Sequence, residues 1–193
     1  EMKAIFSLAA LIPVLMICDQ ATEGSDKPLL TTTASIPPGR PAPLDASEPA
    51  AVRRVFDRQL TVFGLHVLAT KRTPTSKLQH AAAILAGYLD NDLNGKPDNP
   101  RVAKALLKQR ATLVMFATER EAGRLERILP DSWQDSRITI GLFGEETQPD
   151  GVKRRRFDAS YEEIFHMITH AGYAAAYPEV FGMKPGSQLA NAM

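Results

Sequence analysis

Between residues 60 and 172 short apolar, β-branched runs alternate with segments of helical period, and this alternation restricts the fold more than any other feature. "RQLTVFGLHVLAT" predicts a strand over residues 60–69. In "PTSKLQHAAAILAGYL" the apolar Ala81, Ile84, Leu85, Tyr88 and Leu89 recur at helical spacing. A polar turn follows, and Asn99 with Pro100 starts a helix running to about Gln109, Asn99 as cap and Pro100 at the first position. "ATLVMFAT" is a second strand and "RITIGLF" a third. Thr118 with Glu121, and Ser160 with Glu163, have the spacing of capping boxes, each opening a helix. Ser187 is placed to cap a last helix. Strands alternating with helices indicate a layered α/β domain with a small mixed sheet; an α+β arrangement is the alternative.

The rest of the chain brackets this domain. Met2-Lys3 and the apolar run after it have the form of an export signal, too short to span a bilayer comfortably and interrupted by Pro13. The run ends in "LMIC", whose Cys18 is the chain's one cysteine. That ending resembles the lipobox of bacterial lipoproteins, with Leu15 in place and Ile17 where a small residue is usual. It implies a lipid on Cys18, a membrane tether and an exported, periplasmic or cell-surface location; an unlipidated secreted protein is the alternative. Residues 1–18 are thus assigned to the signal. Residues 19–50, rich in Pro, Thr, Ser and Ala, are assigned to a tether too poor in large apolar groups to fold. Residues 51–193 form one domain, expected to continue past Met193. A net charge of +1 gives no footprint for nucleic acid. The one basic cluster, residues 153–156, follows the turn-like Pro149-Asp150-Gly151 and is expected in a solvated loop.

"LDNDLNGKPDNP" carries Asp90, Asp92 and Asn94 at positions one, three and five of a calcium-loop pattern, Gly95 at six and Asp98 at nine. Calcium takes six to eight hard oxygens, and this spacing points several into one tight loop. Lys96 adds its backbone carbonyl. Arg101 stands where the pattern wants a bidentate glutamate, so a shortened, weak and structural calcium loop is expected. The alternative is a polar turn in which Asx side chains cap backbone groups.

"SYEEIFHMITHAG" places His166 and His170 on one helix face, in a chain with only four histidines. With Glu163 as origin, His166 falls at about 300°, His170 at about 340° and Glu162 at about 260° on an ideal helix. Paired imidazoles at this spacing chelate zinc. The arrangement resembles the H-E-x-x-H helix of zincin peptidases in its ligand pair but not in its base, because Met167 follows His166. Glu163 and Glu162 are the candidates for a displaced catalytic base or a ligand, and His80 for a third ligand. The alternative is that the glutamates only favour the helix dipole and the histidines edge an apolar face. His66 is expected to be a satisfied core residue on a strand face shared with Leu60, Val62 and Leu68.

"HAAAILAGYLDNDLNGKPDN", "ATLVMFATERE" and "YEEIFHMITHAGY" together resemble a family of secreted bacterial and algal proteins that combine an L-D-N-D-x-x-G-x-x-D-N loop with an E-E-x-x-H-x-x-x-H-x-G-Y helix. The resemblance spans residues 60–193. It supports treating His166 and His170 as a site and names no reaction. Two functions are therefore expected in competition. One is an exported zinc hydrolase acting on a protein or peptide substrate. The other is a non-catalytic surface or binding protein held together by calcium and a second metal.

Overall fold

The protein is described from a computed structural model covering residues 39–154 and 156–192. The chain starts with β1 (Ala42–Pro43), α1 (Ala50–Val55), β2 (Arg58–Val62) and β3 (Leu65–Ala69). Then come α2 (Thr75–Leu89), α3 (Pro100–Lys108), β4 (Thr112–Phe116), α4 (Glu119–Leu125) with a 3-10 turn at Glu126–Ile128, and α5 (Asp131–Asp135). β5 (Thr139–Phe143), α6 (Gly151–Arg154) and α7 (Ala159–Met167) follow, and α7 runs into a π-helical segment, Ile168–Tyr173. Short helices α8 (Ala174–Ala176), α9 (Pro178–Phe181) and α10 (Gln188–Ala192) complete the described chain. Among these residues no helix is long and apolar enough to cross a membrane. The segments read as an export signal and a tether, with Cys18, lie outside the described residues up to residue 38.

The strands form one mixed sheet in the order β1-β2-β3-β4-β5, with β1, β2 and β3 antiparallel in turn and β3, β4 and β5 parallel. The α/β layered architecture expected from the alternation is the one observed. Successive residues of a strand face opposite sides, so the sheet feeds two cores. Leu65, Val67, Ala69, Leu113, Met115 and Leu142 pack with α2, α3, α7 and the π segment on one face. Leu68, Val114, Phe116 and Phe143 pack with α1, α4 and α5 on the other. All five residues of β4 are buried. In α2 the stripe Leu78, Ala81, Ala82, Leu85 and Leu89 follows the 3.6-residue period and faces the sheet. Phe56, Phe116 and Trp133 form the aromatic centre of the second core, with ring centroids 5.4 and 6.3 Å from Phe56. The connection from β3 to β4 crosses the first face through α2 and α3, and that from β4 to β5 crosses the second through α4 and α5. Both step the same way across the sheet, so they have opposite hands and one is left-handed, the rare sense.

Five expectations need correction. The single strand over residues 60–69 is a hairpin, β2 and β3, turning at Phe63 (φ 49°) and Gly64 (φ 84°). Two central residues with positive φ make the turn match the twist of the flanking strands; phenylalanine seldom takes that role, so the sequence conceals it. The turn also changes the alternation. Leu60 and Val62 face the first core and Leu68 the second, so His66 does not share one face with all three. The tether assigned to residues 19–50 ends too late. Ala42 and Pro43 pair with Gln59 and Arg58, Leu44 is buried, and α1 begins at Ala50. Finally, the box expected at Ser160 and Glu163 is not formed, because Asp158 caps α7 instead. At Thr118 only half the box forms. Its hydroxyl accepts from Glu121 N at 3.1 Å, while the Glu121 carboxylate accepts from Ala117 N and Thr70 Oγ1. Ser187 does cap α10, accepting from Ala190 N.

Candidate metal centres

The acidic loop connects α2 to α3. Its first residue, Asp90, is fully buried, and its carboxylate is satisfied by two backbone donors, Asn94 N at 3.0 Å and Gly95 N at 2.8 Å. A buried carboxylate is costly without such donors. Asp92 Oδ1 also accepts from Asn94 N, and Asp98 Oδ2 accepts from Asn91 N. Asp98 N donates to Leu89 O, closing the loop on the end of α2. Leu93 (φ 61°) and Gly95 (φ 84°) supply the left-handed steps of the tight bend. The fold therefore brings one oxygen from each of Asp90, Asp92 and Asp98 within 4.8 Å of the others. Among the described residues this is the only set of three His, Cys, Asp or Glu side chains so gathered. No Lys or Arg among them pairs with any of the three carboxylates. Like charges at this spacing repel, and a small hard cation relieves that repulsion. Asn94 Oδ1 accepts from Lys96 N at 2.9 Å, so in this conformation Asn94 works as a turn residue. Arg101, at the twelfth position, turns away. Its guanidinium lies 4.3 Å from the Tyr177 ring centre and donates to Ala176 O.

The histidine helix starts from a different knot. Asp158 Oδ1 accepts from Ser160 N, Ser160 Oγ and Gln148 N, and Oδ2 lies 2.6 Å from His80 Nε2. Burial pushes the Asp158 carboxyl up, but bonds from Ser160, His80 and the Gln148 and Ser160 amides outweigh this and hold it below its ordinary value. His80, expected as a third metal ligand, is thus bound at the head of α7 with its ring edge toward Tyr161. Among the described residues it does not gather with His166 and His170 into a set of three metal-capable side chains.

On α7 itself, Glu162 Oε1 and His166 Nε2 lie 3.6 Å apart, one turn from each other, with both side chains about half exposed. Glu163 is half-buried. Its carboxyl is pushed above its ordinary value by burial, opposed by His166 and reinforced by Glu162 and Glu146. His170 is exposed, one wide turn further on in the π segment. The wide turns loosen some backbone carbonyls from the α pattern, and polar side chains take them up. Thr169 Oγ1 donates to Phe165 O and His166 O, and Gln109 Nε2 from the end of α3 donates to Ala171 O. Gly172 lets α3 approach: a Cβ there would lie 2.8 Å from Val102 Cγ1. The structure thus joins Glu162 to His166 and places Glu163 beside them, without adding a third ligand to the histidine pair.

Asp158 was not visible as a functional residue in the sequence. "DASYEE" offers two capping residues two positions apart, and bonds to Asp158 from His80 and Gln148, distant in sequence, favour it as the cap. His66 departs from expectation, because its Nδ1 is buried with no hydrogen-bond partner. It lines a cavity of about 210 Å³ with Arg110 and Arg137. Compared with family models, curated proteins and solved structures, the chain matches none.

Proposed function

We propose that this chain is the folded domain of an exported protein whose principal ligand is calcium, held by the loop from Asp90 to Asp98. The observation that carries this reading is the approach of three carboxylates to within 4.8 Å on a loop where, among the described residues, no Lys or Arg pairs with them. All the donors offered are hard oxygens, which suits calcium or magnesium and not a soft metal. Asp90, Asp92 and Asp98 would supply carboxylates and Lys96 its carbonyl, and the Asn94 amide would join them by giving up its bond to Lys96 N. The ion would clamp the exit of α2 to the entry of α3, a structural role consistent with a non-catalytic surface or binding protein. The test is calcium titration followed by calorimetry. One ion per chain, lost in Asp92→Ala, supports the reading; absence of heat at millimolar calcium removes it.

A second reading keeps the zinc hydrolase, favoured by the approach of Glu162 to His166 and the raised Glu163 carboxyl. In it His166 and His170 would hold zinc, which would supply activation of a water. Glu163 or Glu162 would orient that water or take its proton, and the substrate would be a protein or peptide. Elemental analysis decides it: stoichiometric zinc that disappears in His166→Ala and His170→Ala supports this centre, and metal unaffected by those changes rejects it.

A further inference from the structure

A cavity of about 290 Å³ opens where the acidic loop meets the π segment. Tyr88 at the end of α2 and Tyr173 at the end of the π segment supply aromatic walls, with Ile168 between them in sequence. Asn91 and Asp98 enter from the loop and Asn99 from the head of α3. Both rings are held in place. The Tyr88 hydroxyl donates to Tyr161 O at 3.2 Å, and its ring lies 6.0 Å from that of Phe165. The Tyr173 ring lies 5.2 Å from Phe181 and 6.3 Å from Tyr177. Tyr88 stays 41% exposed beside the hollow it lines. Asn99 Oδ1 is occupied by Val102 N and Tyr177 Oη, which leaves its NH2 without a protein partner among the described residues. The Asn91 side-chain amide is likewise without one.

The lining selects a ligand chemistry. Aromatic faces want a flat apolar surface. Two free carboxamides want oxygen acceptors and donors, and an alkyl chain would leave them unpaired. With calcium seated, the three carboxylates still leave a net negative charge, which opposes an anion. A cation would compete with calcium for those same groups. A neutral sugar ring satisfies the set, with C–H faces for tyrosines and a hydroxyl rim for amides.

The loop adds a reason for the rim to face it. Calcium takes six to eight oxygens, and Arg101 leaves the twelfth ligand position without an acceptor while pointing at Tyr177 and Ala176. Positions on the ion therefore remain for oxygens from outside the loop, and Asp98 belongs to both the acidic cluster and the cavity wall.

We propose that this cavity binds a neutral saccharide, whose vicinal hydroxyls complete the shell of the loop calcium while its ring packs between Tyr88 and Tyr173. The proposal rests on the calcium reading above, and the experiment separates the two. Calcium binding is first measured alone by calorimetry. Methyl α-mannopyranoside, methyl β-galactopyranoside and N-acetylglucosamine, with short oligomers of each, are then titrated in millimolar calcium and again in chelator, followed by amide chemical shifts. At least one sugar is expected to bind in calcium, with affinity at least about tenfold weaker in chelator, a change of about 1.4 kcal/mol. Asn91→Ala removes a free amide with no structural bond from its side chain. Asn99→Asp keeps the cap oxygen and removes the NH2. Each is expected to weaken the sugar severalfold; Asn91→Ala leaves calcium binding unchanged, and Asn99→Asp, which sets a carboxylate beside Asp98, does not weaken it. Calcium bound with no sugar shifting any amide overturns the saccharide proposal and leaves the calcium reading intact. Equal sugar affinity in chelator overturns the bridging role of the ion. Failure of calcium itself to bind overturns both.

Discussion

Asp158 Oδ2 lies 2.6 Å from His80 Nε2, joining α2 to the head of α7 across 78 residues of sequence. The same carboxylate caps α7 and holds Gln148 N, so one side chain fixes the helix bearing Glu162 and His166 against the helix leading into the acidic loop. Asp158→Ala is expected to destabilise the domain by about 3 kcal/mol, from loss of a cap together with buried donors left unpaired. Asp158→Asn retains an acceptor and should cost less. The folded carboxyl is held below its unfolded value of 3.8. Its contribution is therefore complete above that pH and lost as the solution becomes acid enough to protonate the folded form. Urea melts of wild type and Asp158→Asn across this range should converge at the acid end; parallel curves would show that the carboxylate's charge contributes nothing.

Calcium should raise the stability of the wild type. At tenfold above Kd the gain is about 1.4 kcal/mol, read as an upward shift in Tm. Asp92→Ala removes an exposed carboxylate of the cluster and should abolish the shift with little effect on the apo protein. Asp90→Ala should behave differently. Its carboxylate is buried and holds Asn94 N and Gly95 N, so its loss lowers Tm with or without calcium. Equal responses from the two variants would mean the loop does not divide its work in this way.

Gly172 is the residue through which the π segment touches α3. An alanine methyl would lie 2.8 Å from Val102 Cγ1 and 3.3 Å from Leu106 Cγ. Val102 is buried and stiff at χ1, so the helices must separate. Gly172→Ala is expected to cost about 1–3 kcal/mol, the range for overpacking a core. Gly87→Ala is a suitable control, because a Cβ there meets nothing within 4 Å. Equilibrium denaturation of the two variants side by side measures the difference.

Glu163 titrates above its ordinary value of 4.5. A carboxyl raised on folding binds its proton more tightly in the native state. The stabilisation from that proton is present at acid pH and disappears as pH rises through the folded pKa. Glu163→Gln is therefore expected to stabilise the protein at neutral pH and to have little effect below about pH 4. A variant less stable than wild type at pH 7 would show instead that the charged carboxylate is held by a favourable partner, His166 being the group that opposes the effect of burial.

The layered order was legible because strand and helix periods differ so clearly between "ATLVMFAT" and "HAAAILAGYL". The acidic loop was legible for a local reason: Asp90, Asn94, Gly95 and Asp98 interact within nine residues, so spacing alone encodes their geometry. The hairpin at Phe63 was not, since nothing in a phenylalanine announces positive φ. The cap at Asp158 was hidden for the opposite reason. Ser160 is as good a cap by type, and bonds from His80 and Gln148, distant in sequence, favour Asp158. The π segment depends on Gly172, Gln109 and α3 in the same non-local way, so an ideal helical wheel described the first histidine better than the second.

The two crossovers of opposite hand bear on how the chain is made. The α2–α3 crossover, whichever hand it has, must wait for the contacts that hold it. The helices α2 and α3 cross the sheet early in the chain, but the surface that packs on them, from Ile164 through Ile168 and Ala171, is synthesised some sixty residues later. On a ribosome the strands β3 and β4 would emerge without the layer that encloses one of their faces. Their register should stay open to exchange until the π segment has left the exit tunnel, and nascent chains arrested before Tyr173 should remain sensitive to protease along α2 and α3.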